Sequence, residues 1–516
     1  MSIPDQFRQS IEEGYTFKGP SFVLGGAMLG EETLTGSLVR IPLGTLNRHG
    51  LIAGATGTGK TKTLQIIAEQ LSREGVPSLL MDIKGDLSGI SVASGGHAKI
   101  EERHAAIGIP FEASGSPVEL LSLSGEPGAR LRATVVEFGP VLFSKMLDLN
   151  DTQSGIVAVV FKYAEESALP LLDLKDFRKL LQWITGEGKK EIEADYGRIS
   201  SASTGAIMRK IVELESQGAE EFFGETSFEV EDLTRFDELG RGIVSILRLT
   251  DVQDKPKLFS TFMLQLLAEV YATFPEEGDL DRPKLVIFID EAHLVFEEAT
   301  DALLDQLEAI IKLIRSKGVG LFFVTQNPAD IPSDILGQLG LKVQHALRAF
   351  TAKDRKAIKL ASQNYPISDF YDVDTVLTEL GTGEALVTAL DRKGRPTPLA
   401  RTMLRAPESR MDILTEAEIK EIVDRSPLVK KYNQDIDRES AYEMLNKKME
   451  EAAKAEHKAE MEEQKTKAKK SGSRRSAEKS TFEKVMSNTT TRQIGRTIAR
   501  EFTRGLLGVL GIKRRR

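Results

Sequence analysis

Gly54-Ala55-Thr56-Gly57-Thr58-Gly59-Lys60-Thr61 is the stretch on which the fold turns. It fits G-x-x-x-x-G-K-[ST] at every fixed position. A triphosphate needs many donors around its oxygens and a backbone able to approach closely. Gly54, Gly57 and Gly59 permit that approach, and successive N–H groups form an anion nest. From Lys60 to about Ser72 the pattern predicts a helix whose positive end faces the phosphates. Lys60 is expected to reach the β- and γ-phosphates, and the Thr61 hydroxyl to ligate Mg²⁺. Ala55, Thr56, Thr58 and Lys62 complete the expected nucleotide-binding stretch, with ATP as the nucleotide. The apolar run Gly50–Ala53 before the loop reads as the strand such a loop requires.

Outward from the loop, short apolar runs alternate with helical patterns, which points to an α/β domain with a mainly parallel central sheet. Candidate buried strands are 50–53, 78–83, 243–249, 285–289 and 320–324. The run Leu285-Val286-Ile287-Phe288-Ile289 ends in Asp290-Glu291. Ligands of open α/β sheets bind at the carboxyl ends of strands. Asp290 is therefore expected to hold Mg²⁺, and Glu291 to act as general base on the attacking water. A second run, Leu321-Phe322-Phe323-Val324-Thr325-Gln326-Asn327, is expected to lie beside the loop strand, with Gln326 near the γ-phosphate or the water. Arg315, in the last turn of the preceding helix, is a candidate for stabilising transition-state charge in a neighbouring subunit. An Arg at a helix C-terminus is also favoured by the macrodipole alone. Arg348 is a second candidate. Asp290-Glu291-Ala292-His293 spells the label of a known superfamily with two nucleotide-type domains, but no second such domain is visible, so His293 reads as a residue opening the next helix.

The expected organisation is a short N-terminal β region at 1–45 and an ATPase core at 46–90 and 240–405. A mainly helical insertion is expected at 91–239, including helices at 151–166 and 174–185. A charged helical extension follows at 406–470, then a linker and basic amphipathic tail at 471–516. A hairpin is expected near 383–389 and 398–404, turning at 391–394.

This arrangement resembles the HerA/FtsK group within the RecA-like P-loop ATPases. The matching stretches are 49–61, Ile287-Phe288-Ile289-Asp290-Glu291-Ala292-His293, and 314–328 with its Arg, Gly and apolar strand ending Thr-Gln-Asn-Pro. More narrowly, Met81-Asp82-Ile83-Lys84-Gly85-Asp86-Leu87 and the Arg-rich, Leu/Gly-rich C-terminus resemble the bacterial HerA-like ATPases of the YjgR type. The resemblance implies ATP and Mg²⁺, a hexameric ring, double-stranded DNA as track and a nuclease or other protein partner. It also implies an N-terminal β-barrel, for which the roughly 45 residues ahead of the loop are too few.

Composition sets limits around this reading. There is no cysteine, so disulfides, iron–sulfur clusters and cysteine-ligated zinc are excluded. No secretory pattern or bilayer-length apolar run is visible, which leads to the expectation of a cytoplasmic protein without an integral membrane segment. Net charge is −8, yet residues 471–516 carry twelve Lys/Arg against three Asp/Glu. Arg492, Arg496, Arg500 and Arg504 form one helical stripe, and Ile494, Ile498, Phe502 and Leu506 another. Three readings of the tail stay open: phosphate binding on nucleic acid, a peripheral seat on an anionic membrane, or packing on the body. No base-reading motif is present, so DNA binding is expected to be sequence-independent. The rival to a DNA motor is an ATP-dependent scaffold acting on a protein partner.

Overall fold

The computed structural model describes residues 2–123, 125–250, 255–278, 280–296, 301–349, 351–434, 436 and 439–450. The expected tail with its Arg492–Arg504 stripe, and 451–470 of the expected charged extension, lie outside these residues. The described chain divides into two compact units. One holds the chain up to Leu131 and Phe228–Gln434; the other holds Arg132–Ser227 with the described residues after Gln434.

The first unit is organised by one sheet. In chain order its strands are β1 (Ser21–Leu29), β2 (Glu32–Pro42), β3 (Gly50–Ala53), β4 (Ser78–Asp82), β5 (Val118–Ser122) and β6 (Ala129–Arg130). There follow β7 (Val244–Arg248), β8 (Leu285–Ile289), β9 (Val319–Thr325), β10 (Leu341–Gln344), β11 (Glu384–Thr388) and β12 (Ala400–Leu404). Their spatial order is β2-β1-β12-β11-β10-β3-β9-β8-β4-β7-β5-β6. From β10 to β6 every neighbour pair is parallel, whereas β2, β1, β12, β11 and β10 pair antiparallel.

Burial explains the parallel part. Every residue of β3, β8 and β9 is buried, as expected of strands covered on both faces and written as continuous apolar runs. Phe288 and Phe322 pack with ring centroids 5.0 Å apart. Helix α1 (Ile3–Gly14) buries Phe7 and Ile11 and is closed by a capping box between Ser2 and Asp5. Helix α2 (Lys60–Arg73) follows β3, and α3 (Ala98–Ile107) ends on Gly108 in the left-handed region.

Two expected regions look different here. The N-terminal region opens with a helix and then joins the main sheet through β1, which pairs with β12. Residues 91–131, expected within the helical insertion, supply α3, β5 and β6 to the sheet-bearing unit. The pattern of β5 is disguised by Glu119, which is buried against Arg235 at 2.7 Å, and β6 has only two residues. The hairpin is formed by β11 and β12, antiparallel, closed by Asp391 N donating to Arg395 O at 2.9 Å.

The second unit is helical between Val135–Met146 and Ser201–Ser216, with Asp151–Glu166 and Leu174–Thr185 at the expected bounds. Capping boxes at Asn150 and Asp173 start those two helices. Phe138, Phe143, Phe177, Phe222 and Phe223 form its aromatic core. The chain returns to it at Tyr442, whose N–H donates to Asp176 at 2.8 Å.

Candidate functional site

Strand register assembles the site. Ala53 lies opposite Thr325, Ile289 opposite Phe323, and Met81 opposite Ile289. The residues just past four parallel strands therefore meet at one sheet edge: the loop from Gly54, Gln326, Asp290 with Glu291, and the turn after Asp82. β9 lies between β3 and β8, beside the loop strand as the sequence suggests.

The loop is pinned on both flanks. Gly54 N donates to Thr325 O at 3.2 Å, and Ala55 N to Ala346 O at 2.8 Å. Gly54 has φ +152°, and a Cβ there would lie 2.4 Å from the Cβ of His345, so no larger residue fits. Gly59 has φ +111°, where the loop turns into α2. The Lys60 ammonium donates to Gly54 O at 2.7 Å and Ala55 O at 3.2 Å. Burial and the charge of Lys84 lower the Lys60 pKa, while Glu291 and Asp290 oppose that shift. Thr56 Oγ1 donates to Gln326 Oε1 at 3.3 Å, which brings Gln326 against the loop. Thr61 and Lys62 open α2, and Lys62 Nζ donates to Met411 O at 2.6 Å.

Asp290 is 2% exposed. Its Oδ1 accepts from Glu291 N at 2.9 Å, and its Oδ2 is buried with no hydrogen-bond partner. Burial pushes its pKa up to about 6, with Glu291 adding to the rise and Lys84 opposing it. Glu291 has φ +46°, unusual for a residue with a side chain. Its Oε1 is ion-paired with Lys84. His293 Nδ1 lies 3.2 Å from its Oε2 without hydrogen-bond geometry. His293 opens the short helix His293–Phe296, as expected, and also faces Glu291.

Not every candidate joins this cluster. Arg315 precedes β9 and lies at the opposite, N-terminal sheet edge, where its charge acts on His49. His49 there has φ +62° and accepts from Leu321 N through Nδ1 at 3.1 Å; its Nε2 therefore carries the proton it gives to Ile311 O at 2.9 Å. Arg348 is exposed, two residues past the Ala346 carbonyl that holds the loop.

Two neighbours of the loop escape a sequence reading. His345 is fully buried, with Nε2 2.8 Å from Thr63 Oγ1. Burial and the nearby Lys60 charge lower its pKa to about 4. It follows β10, a four-residue strand interrupted by Lys342, and only the strand order places it against Gly54. Lys84 lies in the stretch that carries the family likeness, but nothing in that stretch shows which carboxylate it meets.

Comparisons with known proteins speak to the family and the fold. A family model described as "Helicase HerA-like C-terminal" matches residues 28–515. The DNA double-strand break repair helicase HerA of Sulfolobus acidocaldarius is 22% identical over 383 residues, covering 71% of this chain and 67% of that protein. Its namesake from Sulfurisphaera tokodaii is 24% identical over 377 residues, covering 68% and 64%. The chain thus spans about two thirds of the length of these relatives. The plasmid coupling protein TrwB, solved with a non-hydrolysable ATP analogue, superposes with a TM-score of 0.50 at 16% identity, covering 77% of this chain and 99% of that one. That likeness is one of fold: the first unit is a RecA-like P-loop domain.

Proposed function

The chain belongs to the HerA-like helicase family, and from that premise we propose that it is an ATP-hydrolysing motor acting on double-stranded DNA. The observation that carries the chemical half is the buried Asp290–Glu291 pair, held past β8 at the same sheet edge as the phosphate loop, with Asp290 Oδ2 unpartnered. A buried carboxylate oxygen without a donor is costly unless a ligand supplies the partner.

ATP is the substrate in this reading. Loop N–H groups and Lys60 hold its phosphates, and Gln326 reads the γ-phosphate. Asp290 and Thr61 suit a hard cation that prefers oxygen ligands, as Mg²⁺ does. When bound, Mg²⁺ would neutralise charge on the phosphate oxygens. Glu291 orients water and takes its proton as the water oxygen bonds to the γ-phosphorus. The bond from that phosphorus to the bridging oxygen breaks, leaving ADP and phosphate. Arg315, remote from its own loop, would serve only through a neighbouring copy. That role requires an oligomer, for which the family suggests a hexameric ring. The DNA half rests on the family and on the DNA-repair role by which the HerA relatives are named. The family likeness alone extends the proposal to a nuclease or other protein partner, and the sequence pattern to a cytoplasmic location and a peripheral membrane seat for the tail. No described helix is long and apolar enough to cross a membrane.

The test is steady-state ATP hydrolysis with and without linear double-stranded DNA, for wild type, Lys60→Ala and Glu291→Gln. Stimulation by DNA that falls with salt and vanishes in both variants supports the motor. Hydrolysis indifferent to DNA removes DNA as the track and favours the ATP-dependent scaffold on a protein partner.

A further inference from the structure

The turn after β4 is more ordered than a connection needs to be. Asp82 is buried at the end of β4, and its Oδ1 accepts from Gly85 N at 2.8 Å and Asp86 N at 3.1 Å. Its Oδ2 accepts from Leu87 N at 3.1 Å. Gly85 takes φ +75°, which lets the chain fold back over the Asp82 carboxylate. The residue carried on this turn is Lys84.

β4 is the strand next to β8, so the turn stands beside Asp290 and Glu291. Lys84 Nζ pairs with Glu291 Oε1, and its side chain is 37% exposed where that of Glu291 is 9% exposed. Glu291 itself is held at φ +46°. A carboxylate whose lone pairs serve an ammonium is a weaker proton acceptor and is not free to turn toward a water. Lys84 also lies close enough to Lys60 to act on its charge, so a triphosphate at the loop would offer Lys84 a competing anion.

We propose that Lys84 is a positioning residue that parks the Glu291 carboxylate in an ion pair and restrains hydrolysis until the pair opens. This rests on Glu291 being the base. Lys84 is not itself catalytic: it acts through Glu291. Arginine at 84 preserves the pair, whereas methionine keeps the length of the stem and removes the charge.

The experiment is kcat and KM for ATP, without DNA, in wild type, Lys84→Met, Lys84→Gln, Lys84→Arg, Glu291→Gln and Lys84→Met/Glu291→Gln. Thermal unfolding of each variant confirms that it is folded. The expected result is a kcat about fivefold higher in Lys84→Met and Lys84→Gln, the scale of a half-exposed ion pair lost from the ground state. KM should stay within about twofold, Lys84→Arg should return to wild-type turnover, and the double variant should match Glu291→Gln. An unchanged or lower kcat in folded Lys84→Met and Lys84→Gln overturns the inference, as does a rise in KM alone. If Glu291→Gln hydrolyses ATP like wild type, the assignment of the base fails instead, whatever Lys84→Met does.

Discussion

Two pairs of buried carboxylates lie along or beside α2, and they are finished differently. Past its middle, Glu69 accepts from Glu408 N at 2.9 Å and Ser409 N at 3.0 Å, and also from the Ser409 hydroxyl. Glu408 takes Gln70 Nε2 at 3.2 Å, Arg73 Nη1 at 3.0 Å and an ion pair with Arg405. Every carboxylate oxygen of this pair has a donor. At the other end, Asp290 Oδ2 and Glu291 Oε2 have no hydrogen bond. Burial is the same within a few per cent: 5% and 2% exposed against 2% and 7%. A saturated buried network fixes structure, and an unsaturated one keeps capacity for a ligand. Burial alone therefore does not distinguish the two pairs; the bookkeeping of donors does.

That contrast can be broken by substitution. The largest effect is expected from Lys60→Ala, which removes a donor from the unsaturated end: hydrolysis should fall by about a thousandfold with the unfolding temperature nearly unchanged. Loss of stability without loss of turnover would reverse the assignment of the two ends. Glu408→Ala should do the opposite. It leaves Arg405, 9% exposed, without its partner, and breaking a buried ion pair from one side costs about 3–5 kcal/mol. Chemical denaturation should show that loss, while kcat of the folded fraction stays within about twofold. Gln326→Ala removes the contact with Thr56 and the proposed γ-phosphate reader, and a drop of about tenfold in kcat is expected. An unchanged kcat would leave Gln326 as a surface residue.

The smallest effect concerns pH. Burial raises the Glu69 pKa to about 7, against hydrogen bonds from Ser409 and Glu408 that lower it. The unfolded chain ionises it near 4.3. Between those values the folded state holds a proton that the unfolded state has lost, so stability falls as pH rises, from full below about pH 4 to spent above about pH 7. Glu69→Gln should flatten the unfolding temperature between about pH 5 and pH 8. A residual slope of the same sign is expected from Asp82 and Asp290, raised by burial to about 7 and about 6. A slope identical to wild type would show that Glu69 is ionised throughout.

Legibility in the sequence followed the locality of the signal. β3 and β8 begin and end where their apolar runs do, because each is buried on both faces and bounded by Gly or charge. Gly54, Gly59, Lys60 and Thr61 stand out in the sequence because the motif constrains each of those four positions, while the four between them are free. The strand ahead of Gln326 sets it at the sheet edge, where it meets Thr56. What stayed hidden was the neighbourhood created by strand order. β10 is four residues with a lysine inside, yet it sets His345 against Gly54. Glu119 breaks the apolar pattern of β5 and is tolerated because Arg235 meets it. Residues 406–411, expected to open the charged helical extension, are not helical, and their contacts with Gln65, Glu69 and Lys62 make them a strap across α2.

The central claim is that the unsaturated acids catalyse and the saturated ones support. Its most direct measurement is a single-turnover assay of Glu291→Gln beside wild type, with nucleotide binding followed on the same samples. Binding within about twofold of wild type, with the chemical step slowed by about a hundredfold or more, is the expected result. Hydrolysis at the wild-type rate with ATP bound would contradict it.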